Sequence, residues 1–172
     1  MKVLSLAKNK QLQDSDFENA FKTGLHKLTS LDCSYSNLTG QSLKYLNCDV
    51  LKRLNINCCS KLKNKGLLVL LKNCNTSLQY LDISVTKVND ELFYSIPKQH
   101  LSGLKSLFID FCSAINLSCL KDTLFESFHG LKNLSMYGTS SENFGEFHVY
   151  YIEYQKYAKS KPLKLISNLM YK

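Results

Sequence analysis

Apolar residues along this chain recur as L-x-x-L-x-L. After two intervening residues comes a cysteine or a small polar side chain, and then, in most copies, another apolar position. Leu51-Leu54-Ile56-Cys59-Leu62, Leu78-Leu81-Ile83-Thr86-Val88 and Leu104-Leu107-Ile109-Cys112-Ile115 are the clean copies. Leu28-Leu31-Cys33-Ser36-Leu38 and Leu131-Leu134-Met136-Thr139 are looser, and Met1-Leu4-Leu6-Asn9-Leu12 opens the chain. First positions fall at 1, 28, 51, 78, 104 and 131, which gives steps of 27, 23, 27, 26 and 27 residues. Within each block the alternation has period two, as in a half-buried strand. Beyond it the apolar spacing lengthens to three or four residues, which predicts short helices. These run from Gly66 to Leu71 and on to Cys74, through Leu92-Phe93-Ile96, and through Leu120-Leu124-Phe125-Phe128. Thr39-Gly40, Asn64-Lys65-Gly66 and Asn89-Asp90 supply turn and capping side chains between strand and helix.

A fixed period in the twenties with this apolar signature is the mark of a leucine-rich repeat. The expected fold class is α/β: a solenoid with a curved parallel sheet on its concave face and short helices on its convex face. Residues 1–144 hold about six repeats, and residues 145–172 form a C-terminal capping segment. Such a scaffold presents surface rather than enclosing a pocket, and so favours binding as the function.

Alternation then sorts the strand side chains. Leu4/Leu6, Leu31/Cys33, Leu54/Ile56, Leu81/Ile83, Leu107/Ile109 and Leu134/Met136 are assigned to the core. Their neighbours face outward in three rows: Val3, Ser30, Arg53, Tyr80, Ser106, Asn133; then Ser5, Asp32, Asn55, Asp82, Phe108, Ser135; then Ala7, Ser34, Asn57, Ser84, Asp110, Tyr137. Aromatic residues gather at one end, and several on one sheet face mark an interaction site. The candidate partner-binding residues are Arg53, Tyr80, Asp82, Phe108, Asp110, Phe111 and Tyr137. As an outward side chain, Asp82 is expected to tolerate truncation at a cost of about 0.5 kcal/mol or less.

Charge changes the picture only partly. The chain carries 22 basic and 14 acidic residues, a net charge of +8, and Lys44, Lys52, Arg53, Lys61, Lys63, Lys65 and Lys72 face one acid, Asp49, in that stretch. A solvated lysine-rich face is the plainer reading. A basic nucleic-acid or anionic-surface binder is the rival function, against which stand a lone arginine and no nucleic-acid module. Seven cysteines, odd in number and without a C-x-x-C pair, fit free thiols in a reducing compartment, so the expected location is cytoplasmic or nuclear. Scattered histidines and cysteines give no metal-ligand spacing, and no metal or cofactor is expected. Neither a phosphate-binding glycine loop nor any catalytic constellation is present, and the chain is read as no enzyme. Cys58, at an outward position beside Cys59, is the one thiol worth testing for reactivity. No apolar run is long enough to span a membrane.

Laid out in this way, the chain resembles the cysteine-containing leucine-rich repeat subfamily, whose repeat runs L-x-x-L-x-L-x-x-C-x-x-L-T-D-x-G-L before a helix that often ends on a second cysteine. The copy at 51 gives Leu51-Leu54-Ile56-Cys59-Leu62-Lys63-Asn64-Lys65-Gly66-Leu67, then Leu70-Leu71 and Cys74. Cys59 and Cys112 match the family's first cysteine and Cys74 its second. Asn9, Ser36, Thr86 and Thr139 stand in for the first cysteine in other copies. The resemblance covers roughly residues 1 to 144. It implies a protein-interaction scaffold, a substrate-recognition module of or adaptor to a ubiquitin ligase. Members of that kind carry an F-box ahead of the repeats; others resemble the yeast antagonist of mitotic exit. The expected partners are a protein on the concave face and a ubiquitin-ligase scaffold. Effectors of intracellular pathogens use a similar repeat surface.

Both ends carry expectations. Phe147, Tyr150, Tyr151, Tyr154 and Ala158 follow helical spacing, predicting an amphipathic helix that caps the last repeat. Its alternative use is contact with a membrane surface or a partner. At the other end the first repeat begins at Met1 without a preceding cap. Leu4 and Leu6 are therefore expected at an uncovered edge, with an F-box or further repeats upstream, a docked partner or a second copy covering it.

Overall fold

Each L-x-x-L-x-L block forms a three-residue strand whose middle residue is the second leucine of the motif. The computed structural model describes residues 2–74, 76–116, 118–120, 122–123, 130–139 and 164–165. Its strands are β1 (Val3–Ser5), β2 (Ser30–Asp32), β3 (Arg53–Asn55), β4 (Tyr80–Asp82), β5 (Ser106–Phe108), β6 (Asn133–Ser135) and β7 (Lys164–Leu165). All pair in parallel, in strict sequence order, as one seven-stranded sheet. Leu4, Leu31, Leu54, Leu81, Leu107, Leu134 and Leu165 stand opposite one another across it. The register of the sequence copies is thus the register of the sheet.

Ladder hydrogen bonds run well past the short strands. Two amides in each block donate to one carbonyl in the block before. Thr29 and Ser30 share Lys2 O, Lys52 and Arg53 share Thr29 O, and the pattern continues to Lys132 and Asn133 on Lys105 O. On the far side, Leu6, Cys33, Ile56, Ile83 and Ile109 donate forward to the next block. The backbone polar groups of the sheet therefore find partners although no strand of β1 to β6 exceeds three residues.

Helical segments fill the interval between strands. α1 (Asp14–Thr23) was not evident from the spacing around it. It buries Phe17 and Phe21, one turn apart with ring centroids 5.2 Å from each other. Asp16 accepts the Gln13 amide at 2.8 Å, and Asp14 and Asp16 place negative charge at the positive end of the helix dipole. α2 (Asn64–Asn73) buries Leu67, Leu70 and Leu71, as its spacing predicts. α3 (Asp90–Tyr94) is capped by the Asn89 side chain accepting the Glu91 amide and buries Leu92 and Phe93. The 23-residue step has room only for a 3-10 helix, Gln41–Tyr45, because four missing residues remove about one α-helical turn. A second 3-10 helix, Lys98–Leu101, follows Pro97.

Strand and helix side chains share a single apolar core, from Phe17 to Met136. β1 sits at one end of the sheet with Leu4 and Leu6 half-buried against that core. The predicted helices through Leu124, Phe125 and Phe128 and through 147–158 lie outside the described residues. Among the described residues no helix is long and apolar enough to cross a membrane.

Candidate functional site

Outward strand positions build the candidate site, and the strict register makes each row continuous from strand to strand. In the first row the Arg53 guanidinium lies 4.0 Å from the centre of the Tyr80 ring. Tyr80 in turn meets Phe108, of the second row on the next strand, at 5.2 Å and 39° between planes. Three of the expected binding residues, drawn from β3, β4 and β5, therefore form one cation–aromatic cluster. An exposed cation over a ring contributes about 0.5–1 kcal/mol. Burial, reinforced by the Asp82 carboxylate and opposed by Arg53, raises the Tyr80 phenol above its usual range, so it stays a neutral donor at physiological pH. Beside the cluster a groove of about 230 Å³ is lined by Val3, Ser30, Asp32, Arg53, Asn55 and Tyr80 among others.

The remaining aromatics form a separate pair. Phe111 and Tyr137 meet edge to face at 5.2 Å and are both exposed. For the acids the expectation of free outward carboxylates changes. Asp82 is only 8% exposed. Its Oδ1 accepts the Ser84 amide at 3.0 Å and its Oδ2 accepts Asn57 Nδ2 at 3.3 Å. Asp110 Oδ1 accepts Ser135 Oγ at 2.6 Å and the Tyr137 amide at 2.7 Å, while the Asp110 amide donates to Ser84 Oγ. At β2 and β3, Asp32 binds Ser34 and accepts Asn55 Nδ2. Asp82 and Asp110 thus belong to a polar lattice that ties adjacent strands across the outward face.

A fourth row escapes period-two reasoning altogether. Lys8, Tyr35, Cys58, Val85, Phe111 and Gly138 occupy one equivalent position per block, and all have positive φ, between 54° and 65°. Each of the first five donates its amide across to the next block, Lys8 to Ser34 O, Tyr35 to Asn57 O, and so on to Phe111 and Tyr137 O. That ladder bond holds side chains that ordinarily avoid left-handed backbone. Only Gly138 is of the type that reveals such a position in sequence. A Cβ at Gly138 would come within 2.5 Å of the Phe111 ring, so the glycine also makes room for the aromatic pair. Tyr35, Val85 and Phe111 are exposed in this row.

The cysteine or threonine three residues after the strand motif has a common role in four of the blocks. Cys59 Sγ donates to Cys33 O and Cys112 Sγ to Ile83 O, reaching into the preceding block. Thr86 and Thr139 instead donate to Ile83 O and Met136 O within their own. Cysteine and threonine interchange here because a buried carbonyl near the strand end needs a compact donor. Six thiols are buried and Cys58 is half-buried. Burial raises the Cys59, Cys112 and Cys33 thiols and lifts Cys119 to about 11, which keeps them protonated and poor nucleophiles. The hydrogen bond to Cys58 holds the Tyr35 phenol above its usual range.

Among the described residues no group of three or more His, Cys, Asp or Glu side chains is placed to hold a metal ion. Compared with known proteins, the chain matches no family model and no curated sequence.

Proposed function

We propose that the chain is a leucine-rich repeat solenoid of the cysteine-containing kind and acts as a non-enzymatic protein-interaction scaffold. In this reading it is a substrate-recognition module of, or adaptor to, a ubiquitin ligase. The observation that carries the binding role is the Arg53–Tyr80–Phe108 cluster. It draws an arginine, a tyrosine and a phenylalanine, types enriched at interfaces, from three strands onto one outward face. The Phe111–Tyr137 pair extends the apolar contact area, and the carboxylate lattice ties together the strands that present both. Little ordering is then left for the moment of binding, which favours affinity.

Affinity purification with mass spectrometry tests this, comparing the native chain with a Tyr80→Ala/Phe108→Ala variant checked for folding by circular dichroism. The expected outcome is a protein partner retained by the native chain and lost by the variant, with a ligase scaffold among the retained proteins. Partners that survive the double substitution would remove the cluster from the binding site. A retained partner without a ligase scaffold would leave the scaffold function and discard the ligase role.

A further inference from the structure

Away from the sheet's outward face, the contact between the 3-10 helix Gln41–Tyr45 and α2 encloses a second recess of about 490 Å³. It is lined by Thr39, Gln41, Lys44, Lys63, Lys65, Gly66 and Val69. Three of its seven lining residues are exposed lysines and none is acidic. The nearby Asp14 carboxylate forms no ion pair with them. Its Oδ2 is taken by the Thr39 amide and hydroxyl and its Oδ1 by the Ser42 amide and hydroxyl, all at 2.8–2.9 Å. Glu18 is paired with Lys22 at 2.5 Å, the only ion pair among the described residues. The groove floor is closely packed: Gly66 lies so near Gly40 that a Cβ there would sit 2.5 Å from the Gly40 carbonyl carbon. Val69, 40% exposed, adds an apolar wall.

We propose that this lysine-lined groove is a second docking site, and that it takes an acidic segment of a protein partner, with carboxylates on the lysines and an aliphatic side chain against Val69. Charge complementarity argues for an anionic occupant, and the rest of the lining selects a peptide over a nucleic acid. Ammonium groups are point charges without the fork that grips phosphate, and the single arginine is on the sheet's outward face. The neighbouring Tyr45 ring offers no stacking platform for a base, since Lys22 and Lys44 lie over it at 4.4 and 4.8 Å. The site is separate from the Arg53–Tyr80–Phe108 cluster, so the two can be tested independently.

Fluorescence anisotropy with a short labelled peptide of glutamate, aspartate and leucine provides the test, at about 0.15 M salt where charges more than ~8 Å apart are screened. A glutamine-for-acid version of the peptide and an oligothymidine strand serve as competing arms. The expected result is saturable binding of the acidic peptide, at least about tenfold weaker in Lys63→Glu/Lys65→Glu and unchanged in Tyr80→Ala. Loss of binding with the glutamine peptide is also expected. Absent or non-saturable binding, equal binding by the lysine variant, or tighter binding of oligothymidine than of the acidic peptide would each overturn the proposal. Melting curves of the lysine variant separate a lost site from a lost fold.

Discussion

Asp14 shows how much one side chain can hold together. Burial tends to raise its carboxyl, but hydrogen bonds from the Ser42 and Thr39 amides and hydroxyls outweigh it and hold the group below its usual range. A carboxylate with a depressed folded pKa stabilises above its unfolded value, near ~4, and loses that contribution as pH falls through the lower folded value. Asp14→Asn is therefore expected to lower the melting temperature at neutral pH, with the gap to the native protein closing below about pH 4. A gap independent of pH would show that shape, and not charge, holds the turn. Asp82 gives a second residue-level outcome. Read from alternation alone it is a free outward side chain, yet truncation leaves the Ser84 amide and the Asn57 side chain without their acceptor. Asp82→Ala should cost about 1–3 kcal/mol in a denaturant titration, against about 2–5 for Leu81→Ala in the core. Period two correctly assigns which face a residue takes, but it cannot tell an outward carboxylate facing solvent from one bonded to the next strand. The left-handed row was hidden for a related reason: the ladder that holds it lies between blocks, and only Gly138 among its members is a glycine.

Among the elements, those with the strongest local spacing were the easiest to see. α2 and α3 announce themselves through Leu67-Leu70-Leu71 and Leu92-Phe93 and through asparagines at their starts. α1 carries only two buried aromatics, Phe17 and Phe21, in a polar run, so its apolar stripe is too narrow to stand out. In the 23-residue copy the length itself was the clue, since a turn's worth of chain is missing where the 3-10 helix replaces an α-helix. That shortening draws Gly40, at φ 95°, against Gly66 at the start of α2. Gly66→Ala has no room for its methyl and should cost about 1–3 kcal/mol through forced separation of the two helices. Gly24→Ala is the control. A Cβ there meets only Ala20 O at 3.6 Å and φ is −127°, so the melting temperature should hold or rise slightly. Equal losses at both positions would mean that the Gly40–Gly66 contact does not set the spacing of the helices.

For the whole molecule, the parallel α/β sheet and its register were legible because every block repeats the same apolar positions at nearly the same interval. The partner surface was legible only in part: Arg53, Tyr80 and Phe108 converge, whereas Phe111 and Tyr137 stand apart as a second pair. Stability should be graded along the sheet. β1 has one neighbouring strand, exposes 64% of Val3 and leaves Leu4 half-buried, while β3 and β4 are flanked on both sides with Leu54 and Leu81 in the core. Hydrogen exchange monitored residue by residue should find the Ile56 and Ile83 amides the slowest and the Leu6 amide among the fastest of the ladder. Uniform protection would indicate one all-or-none unit. The strict sequence order of the strands also bears on how the chain is made. Each strand from β2 onward pairs with one synthesised immediately before it, so no segment waits for a distant partner still to come. At ordinary synthesis speeds a block of this length leaves the ribosome about every 1–5 seconds, far longer than a short helix needs to form. The nascent protein can therefore add one strand at a time to an edge already in place, the outer edge of β1 staying the same while the opposite edge advances.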